Sequence, residues 1–484
     1  MKKKSKAIMF VGTGSDTGKS IITAAFCRIL KRRGLKVAPF KAQNMALNSY
    51  VCDGGYEIGR AQAYQAFAAG IKPDSRMNPV LLKPSSDSMS QVIINGKPLD
   101  NFTASNYYKR RKIFRNASRA AFDSLSDEYD FIVIEGAGSP AEINLMKYDI
   151  VNMSMAEYAQ ADTYLIGDID KGGVFASLKG TIDLLPEKHK KLLKGIIINK
   201  FRGDMNLLIP AFKMFRKYSK IPITGVLPYI HNLTVDEEDS LMRANISVNS
   251  EINSENKICV GILALPHTSN FTDFDPFIYE SDVLLKYIYN PEHIQDFDCV
   301  IIPGSKSVAA DYLFLKERNS IKTLRKFAEN KKKFLFGVCG GLQMLGSNIT
   351  DSDNIEGSIK KTRLLNFFNF NTELKKNKIL RQVDDAINFC NRKFKITGYE
   401  IHNGVSDITQ ADKNFMMRDN IAASYIHGLF DNDSFRRAFL NHLRSIKGLK
   451  PVCKITNITK IKEKNIDCLA HIVETNLSSL SRKL

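Results

Sequence analysis

The strongest constraint on this chain is a repeated alternation along it. Short apolar runs rich in Ile, Val and Phe are mostly followed by glycine or a polar turn and then by a helical pattern. The first set is AIMFVG (7–12), KVAPF (36–40), DFIVIEG (130–136), TYLIGD (163–168), KGIIINK (194–200) and PITGVL (222–227). Strands that alternate with helices need crossover connections, which are right-handed and cover both faces of a mostly parallel sheet. The pattern lapses in the polar stretch 231–257 and restarts with ICVGILAL (258–265), DCVIIPGS (298–305), KFLFGVCGG (333–341) and IAASYIHG (421–428). The expectation is therefore two α/β domains, at 1–235 and 257–484, joined by a linker at 236–256. The second would end in a helical tail. A length of 484 residues allows two or three domains, at roughly 150 residues per domain. The Asn- and Lys-rich stretch near 366–395 reads as a surface insertion.

Composition excludes several classes. No run of about 18 uncharged apolar residues is present to span a bilayer. The basic start leads through a short apolar run, Ala7 to Val11, into a glycine loop rather than a cleavage site, so it reads as a tail and a first strand. Eight cysteines lie scattered without CxxC pairs, which fits neither a zinc framework nor a disulfide scaffold and points to reduced thiols in the cytoplasm. The net charge of +19 suits polyanionic partners. Its lysines and arginines flank apolar segments along the whole chain and no nucleic-acid motif accompanies them, so neither nucleic acid nor membrane is an expected partner.

GTGSDTGKS (12–20) lies between an apolar strand and the helical pattern IITAAFCRILKRRG. That is the setting of a phosphate loop, in which backbone N–H groups and a helix N-terminus wrap an anion, Lys19 neutralises phosphate oxygens and Ser20 can hold Mg²⁺. Gly12, Thr13 and Gly18 belong to the same loop, with Thr13 where the usual spacing would put a glycine. A metal beside nucleotide phosphates needs a carboxylate at a neighbouring strand end, and Glu135 in FIVIEGAGS fits. The first domain thus reads as a P-loop, doubly wound parallel sheet. Asn199, ending KGIIINK, is placed either to recognise adenine or to form a turn.

In the second domain, KFLFGVCGGLQMLG puts Cys339 between a strand and a helix that opens with two glycines. Such a nucleophile elbow turns the thiol outward, while the N–H of Gly340 and the helix N-terminus favour thiolate and oxyanion. His427, at the end of the strand in IAASYIHGLF, is the candidate base. IIPGSKS (301–307) could supply a second oxyanion donor through the backbone of Gly304 or Ser305.

Taken in order, GTGSDTGKS, PFKAQNMALNS (39–49), EIGRAQAYQA (57–66), MNPVLLKP (77–84), EGAGSPAEINL (135–145), DIDKGGVFAS (168–177) and INKFRGD (198–204) resemble the motifs of the cobyric acid synthases. GxCGGxQMLG followed by YxHGLF is similar to their class I, or triad-type, glutamine amidotransferase domain. The first domain is similar to dethiobiotin synthetase, where the same shifted glycine loop occurs.

The resemblance implies ATP- and Mg²⁺-dependent amidation of a corrinoid with ammonia from glutamine. It implies Lys19 and Lys41 as phosphate and carboxylate ligands, Ser20, Glu57 and Glu135 around the metal, and Asp168, Asp170 and Lys171 at the substrate. Most of the wider amidotransferase class carries Glu two residues after the histidine, where this chain has Leu429. Cys339 and His427 are then expected to act as a dyad, assisted by Glu400 or His402, or with that loop purely structural. Cobyrinic acid a,c-diamide synthase and a non-catalytic P-loop scaffold are the alternatives.

Overall fold

The computed structural model describes residues 5–86, 89–230, 256–409 and 413–482. Most of the expected linker, 236–256, falls outside the described residues. The first domain is built on six parallel strands in the order Ile223–Pro228, Leu193–Phe201, Asp162–Asp168, Lys6–Gly12, Phe131–Glu135, Val37–Phe40. Each was foreshadowed by one apolar run, as buried parallel strands require. The chain's first strand lies inside the sheet and the order reverses beside it, which is where open α/β sheets bind ligands. The register does the rest. Phe10 pairs with Glu135 and Gly12 with Ile166, so the loop after Gly12 leaves the sheet beside the Glu135 carboxylate.

The second domain repeats the architecture with the parallel strands Val283–Ile288, Ile258–Leu263, Cys299–Ile302, Phe334–Val338 and Ile421–Ser424, and an antiparallel edge, Met416–Arg418. Its core is dense in phenylalanine: Phe336 packs on Phe430 and Phe439, and Phe439 on Phe277. Among the described residues no helix is long and apolar enough to cross a membrane.

Two features join the domains. The stretch read as a surface insertion is one arm of a long hairpin, Asn371–Phe389 paired with Arg392–Ser406. Part of it is buried against the first domain: Val51 clusters with Tyr399 and Ile401, and Gln382 donates to the Val51 carbonyl. The C-terminal helix Ile458–Asn476 crosses back and packs on the helix Lys19–Arg32. Its Ile466, Leu469, Ala470 and Val473 share a core with Ile22, Ala25, Phe26 and Ile29. Arg32–Asp467 and Arg33–Glu474 ion pairs, at 2.8 and 2.7 Å, flank that seam.

Full burial of each large aliphatic side chain contributes about 1.5–3 kcal/mol, against well under about 1 kcal/mol for an exposed ion pair, so the apolar stripe holds the helix down. Leu469→Ala is accordingly expected to cost about 2–5 kcal/mol, read as a lower urea midpoint, whereas Glu474→Ala should change it by less than about 1 kcal/mol.

Candidate active site

In the first domain the structure brings Lys19, Ser20, Lys41 and Glu135 together. The loop is tight: a Cβ at Gly12 would stand 2.2 Å from Thr17 Oγ1, so a larger residue there would displace Thr17. Gly18 adopts φ 97°, a left-handed conformation natural to glycine, and opens the helix. Lys19 Nζ donates to the Gly14 carbonyl at 2.8 Å. Ser20 Oγ donates to Glu135 Oε1 at 2.8 Å, and Lys41 Nζ reaches the same oxygen at 2.9 Å. Gln65 donates to Glu135 Oε2 at 2.5 Å. Burial of Glu135 would raise its pKa, but the Lys41 charge and the hydrogen bonds from Lys41, Gln65 and Ser20 outweigh it and keep the carboxylate ionised.

Three expected residues sit differently. Glu57 does not join this group, because it is fully buried with Oε1 on Lys83 Nζ at 2.8 Å and Oε2 on Lys378 Nζ at 2.5 Å. Both of its oxygens are committed at the domain junction. Asn199 braces the loop rather than standing open for a base, with its Nδ2 donating to the Thr17 carbonyl at 2.8 Å. The Thr13 N–H is donated to Ile166 O at 2.9 Å, so it anchors the loop to the sheet and does not point to a ligand. Asp168, Asp170 and Lys171 lie at the same sheet edge: Asp168 pairs with Lys200 at 2.8 Å, Asp170 with Arg202 at 2.9 Å, and the exposed Lys171 approaches Asp16 at 3.9 Å.

In the second domain, Cys339 ends the strand Phe334–Val338 and begins the helix Gly340–Leu345 with φ 51° and ψ −105°. That strained turn is pinned by Cys339 N–H donating to Ser424 O at 2.8 Å and by close packing beneath it. A Cβ at Gly341 would lie 2.0 Å from Ile302 O. The Ser305 backbone nitrogen would be 2.6 Å from a Cβ on Gly340, which sets the Gly304–Ser305 segment beside the elbow. Ser305 Oγ donates to the fully buried Asp311 at 2.6 Å, and this segment pairs with Thr268–Ser269.

His427 lies close enough to Cys339 to feel its charge and, through Nδ1, donates to Asp273 Oδ2 at 2.6 Å. Asp273 Oδ1 accepts from Gly428 N–H at 3.0 Å. The site is therefore a Cys339–His427–Asp273 triad rather than a dyad. Leu429, where the wider class carries Glu, is an apolar core residue at 2% exposure. Glu400 is instead held by Arg381, at 2.8 Å from Arg381 Nε, and His402 Nδ1 donates to Gly404 O while its ring stacks on Tyr425. Burial alone would lower the His427 pKa, but the Asp273 and Cys339 charges and the hydrogen bond to Asp273 raise it to about 10, so the imidazole is held protonated. Reading the sequence missed Asp273. It stands 154 residues from His427 in FTDFDPF, a segment whose phenylalanines read as core.

A pocket opens beside Cys339 and Gly340, lined also by Ser305, Lys306, Gln343, Glu356 and His402. Lys83 of the first domain lines it too.

Residues 8–241 match the family described as the CobQ/CobB/MinD/ParA nucleotide binding domain, and residues 259–435 the CobB/CobQ-like glutamine amidotransferase domain. The cobyric acid synthase of Carboxydothermus hydrogenoformans is 45% identical over 98% of this chain and 98% of its own length. The chain belongs to the cobyric acid synthase family. The Clostridium acetobutylicum cobyric acid synthase is 42% identical over 97% of the chain and 96% of its own length. A Leptospira interrogans adenosylcobalamin biosynthesis bifunctional protein, CobDQ, is 43% identical over the whole chain, which spans 57% of that longer protein. Membership in the cobyric acid synthase family makes the chain a glutamine-hydrolysing ligase, with the nucleotide-binding domain first and the glutaminase second.

Proposed function

We propose that the chain amidates the b, d, e and g carboxylates of adenosylcobyrinic acid a,c-diamide, in cobalamin biosynthesis, through acyl phosphates formed from ATP. The observation that carries this reading is the shared cavity: Lys83 of the nucleotide-binding domain lines the space into which Cys339 faces. Ammonia made there is released against the domain that consumes it.

At the glutaminase site the Cys339 sulfur attacks the side-chain amide carbon of glutamine. The oxyanion that forms is met by the N–H of Gly340 and a backbone N–H of the Gly304–Ser305 segment. Protonated His427 gives its proton to the leaving ammonia, and the thioester is then hydrolysed by water that His427, now neutral, deprotonates. Asp273 keeps the Nδ1–H tautomer throughout.

A carboxylate does not react with ammonia until its oxygen becomes a good leaving group, so the γ-phosphoryl of ATP is transferred to it first. Lys19 and Lys41 offset charge on the phosphoryl and carboxylate oxygens. Ser20 Oγ and the ionised Glu135, 2.8 Å apart, are hard oxygen donors that fit Mg²⁺. Bound there, the ion would screen the β- and γ-phosphate charge. Asp168, Asp170 and Lys171 at the same edge are proposed to meet the corrinoid, a polyanion suited to a chain of net charge +19.

Mass spectrometry of the corrinoid after incubation with ATP, Mg²⁺ and glutamine tests the reading, with stepwise replacement of OH by NH₂ as the expected result. Conversion of cobyrinic acid to its a,c-diamide instead would favour the sister enzyme. Lys19→Ala is expected to lower synthesis about 10²-fold or more with either glutamine or ammonium as nitrogen source, because neither reacts with an unactivated carboxylate. Full synthesis by that variant would dispose of the phosphate-loop role.

A further inference from the structure

The cavity beside Cys339 has a charged lining that amide cleavage itself does not use. The thiol, the imidazole and the oxyanion donors lie together, yet Lys306 and Glu356 also face this space. Lys306 is 7% exposed, and its ammonium has Gln91 Oε1 at 3.5 Å as its hydrogen-bond partner. Glu356 gives Oε2 to the Val308 N–H at 3.0 Å, and its other oxygen accepts no hydrogen bond among the described residues. Each feels the other's charge across the cavity without an ion pair between them. Burial lowers the Lys306 pKa and raises that of Glu356 to about 7, as for charges that still lack a full counter-charge. The two other cations of the lining, Lys83 and Lys378, are both paired to Glu57.

A free amino acid carries both missing complements on one carbon. We propose that Lys306 receives the α-carboxylate and Glu356 the α-ammonium of glutamine, so that this pair selects the free amino acid over other primary amides. The inference rests on Cys339 being the glutaminase nucleophile. Because Lys306 directly follows Ser305, seating the α-carboxylate also steadies the segment that offers the second oxyanion donor. Glutamine thereby helps to complete the site that cleaves it.

The test compares glutamine with two truncated amides, glutaramate, which lacks the α-ammonium, and 4-aminobutanamide, which lacks the α-carboxylate. Hydrogen bonds to charged groups imply that the wild-type enzyme prefers glutamine to each by about 10- to 100-fold in kcat/KM. Glu356→Gln, whose amide oxygen can still accept from Val308, should lose that preference over glutaramate while its rate on glutaramate itself stays near wild type. Lys306→Met should lose the preference over 4-aminobutanamide instead. A variant that slows glutamine and its matching analogue by the same factor acts through structure alone, and that result overturns the inference. Hydrolysis that survives Cys339→Ala overturns the nucleophile and the inference with it. Hydrolysis lost in Cys339→Ala, with analogue preference unchanged in both variants, overturns the inference alone.

Discussion

Replacing Cys339 by alanine is expected to lower glutamine-dependent synthesis by about 10⁴-fold or more while ammonium-dependent synthesis continues near the wild-type rate. The reason is spatial. The sulfur is the atom that bonds to the glutamine amide carbon, and no other group at the elbow can replace it. The phosphate loop, Lys41 and Glu135 lie in the other domain and do not depend on it. Measuring corrinoid amidation with each nitrogen source separates the two sites in one experiment. If ammonium fails to restore synthesis in the Cys339→Ala protein, the division of labour between the domains is wrong.

The second large effect belongs to Asp273. Both of its oxygens accept, one from His427 Nδ1 and one from the Gly428 N–H. Asparagine must turn its NH₂ towards one of those donors. Facing Nδ1 it imposes the tautomer that carries its proton on Nε2, and facing Gly428 it sets donor against donor. Either way the base loses its orientation, and Asp273→Asn should lower glutaminase kcat by about 10²–10⁴-fold.

The same variant should move the pH profile. With Asp273 present, His427 stays protonated up to about pH 10, which places the alkaline limb of kcat/KM there. Without the carboxylate the limb should fall towards the ordinary histidine value of about 6.5. The linkage sign agrees: a raised histidine pKa contributes stability that is complete below about pH 6.5 and lost as pH rises through about 10. An unshifted limb would show that Asp273 does not act through the imidazole.

Much of this arrangement was legible because buried parallel strands are continuous apolar runs, and because both sites stand at strand ends next to glycines. The strand Phe334–Val338 and the loop after Gly12 announce themselves in that way. The strand Val283–Ile288 did not, since it lies at the sheet edge, half exposed and interrupted by Lys286. Asp273 was invisible for another reason: a carboxylate that orients a distant histidine needs proximity, not spacing, and its neighbours Phe271, Phe274 and Phe277 carry the stronger signal. Glu57 illustrates the converse. A motif position can suggest a role at the metal, but the carboxylate goes to whichever cations the fold brings nearest, here Lys83 and Lys378. The stretch near 366–395 read as an insertion because it is rich in Lys and Asn, and composition does not report that the hairpin it helps to form is clasped by another domain.

The helix Ile458–Asn476 has a consequence for how the protein comes into being. Of the described helices its partner, Lys19–Arg32, leaves the ribosome first and Ile458–Asn476 nearly last. At about 5–20 residues per second, the apolar flank of the earlier helix waits roughly 20 to 85 s for its cover. During that interval the part of the earlier helix that the later one covers faces water, or a chaperone. A chain cut short by even its last thirty or so residues would therefore carry an uncovered apolar flank, which is expected to mark it for proteolysis or aggregation.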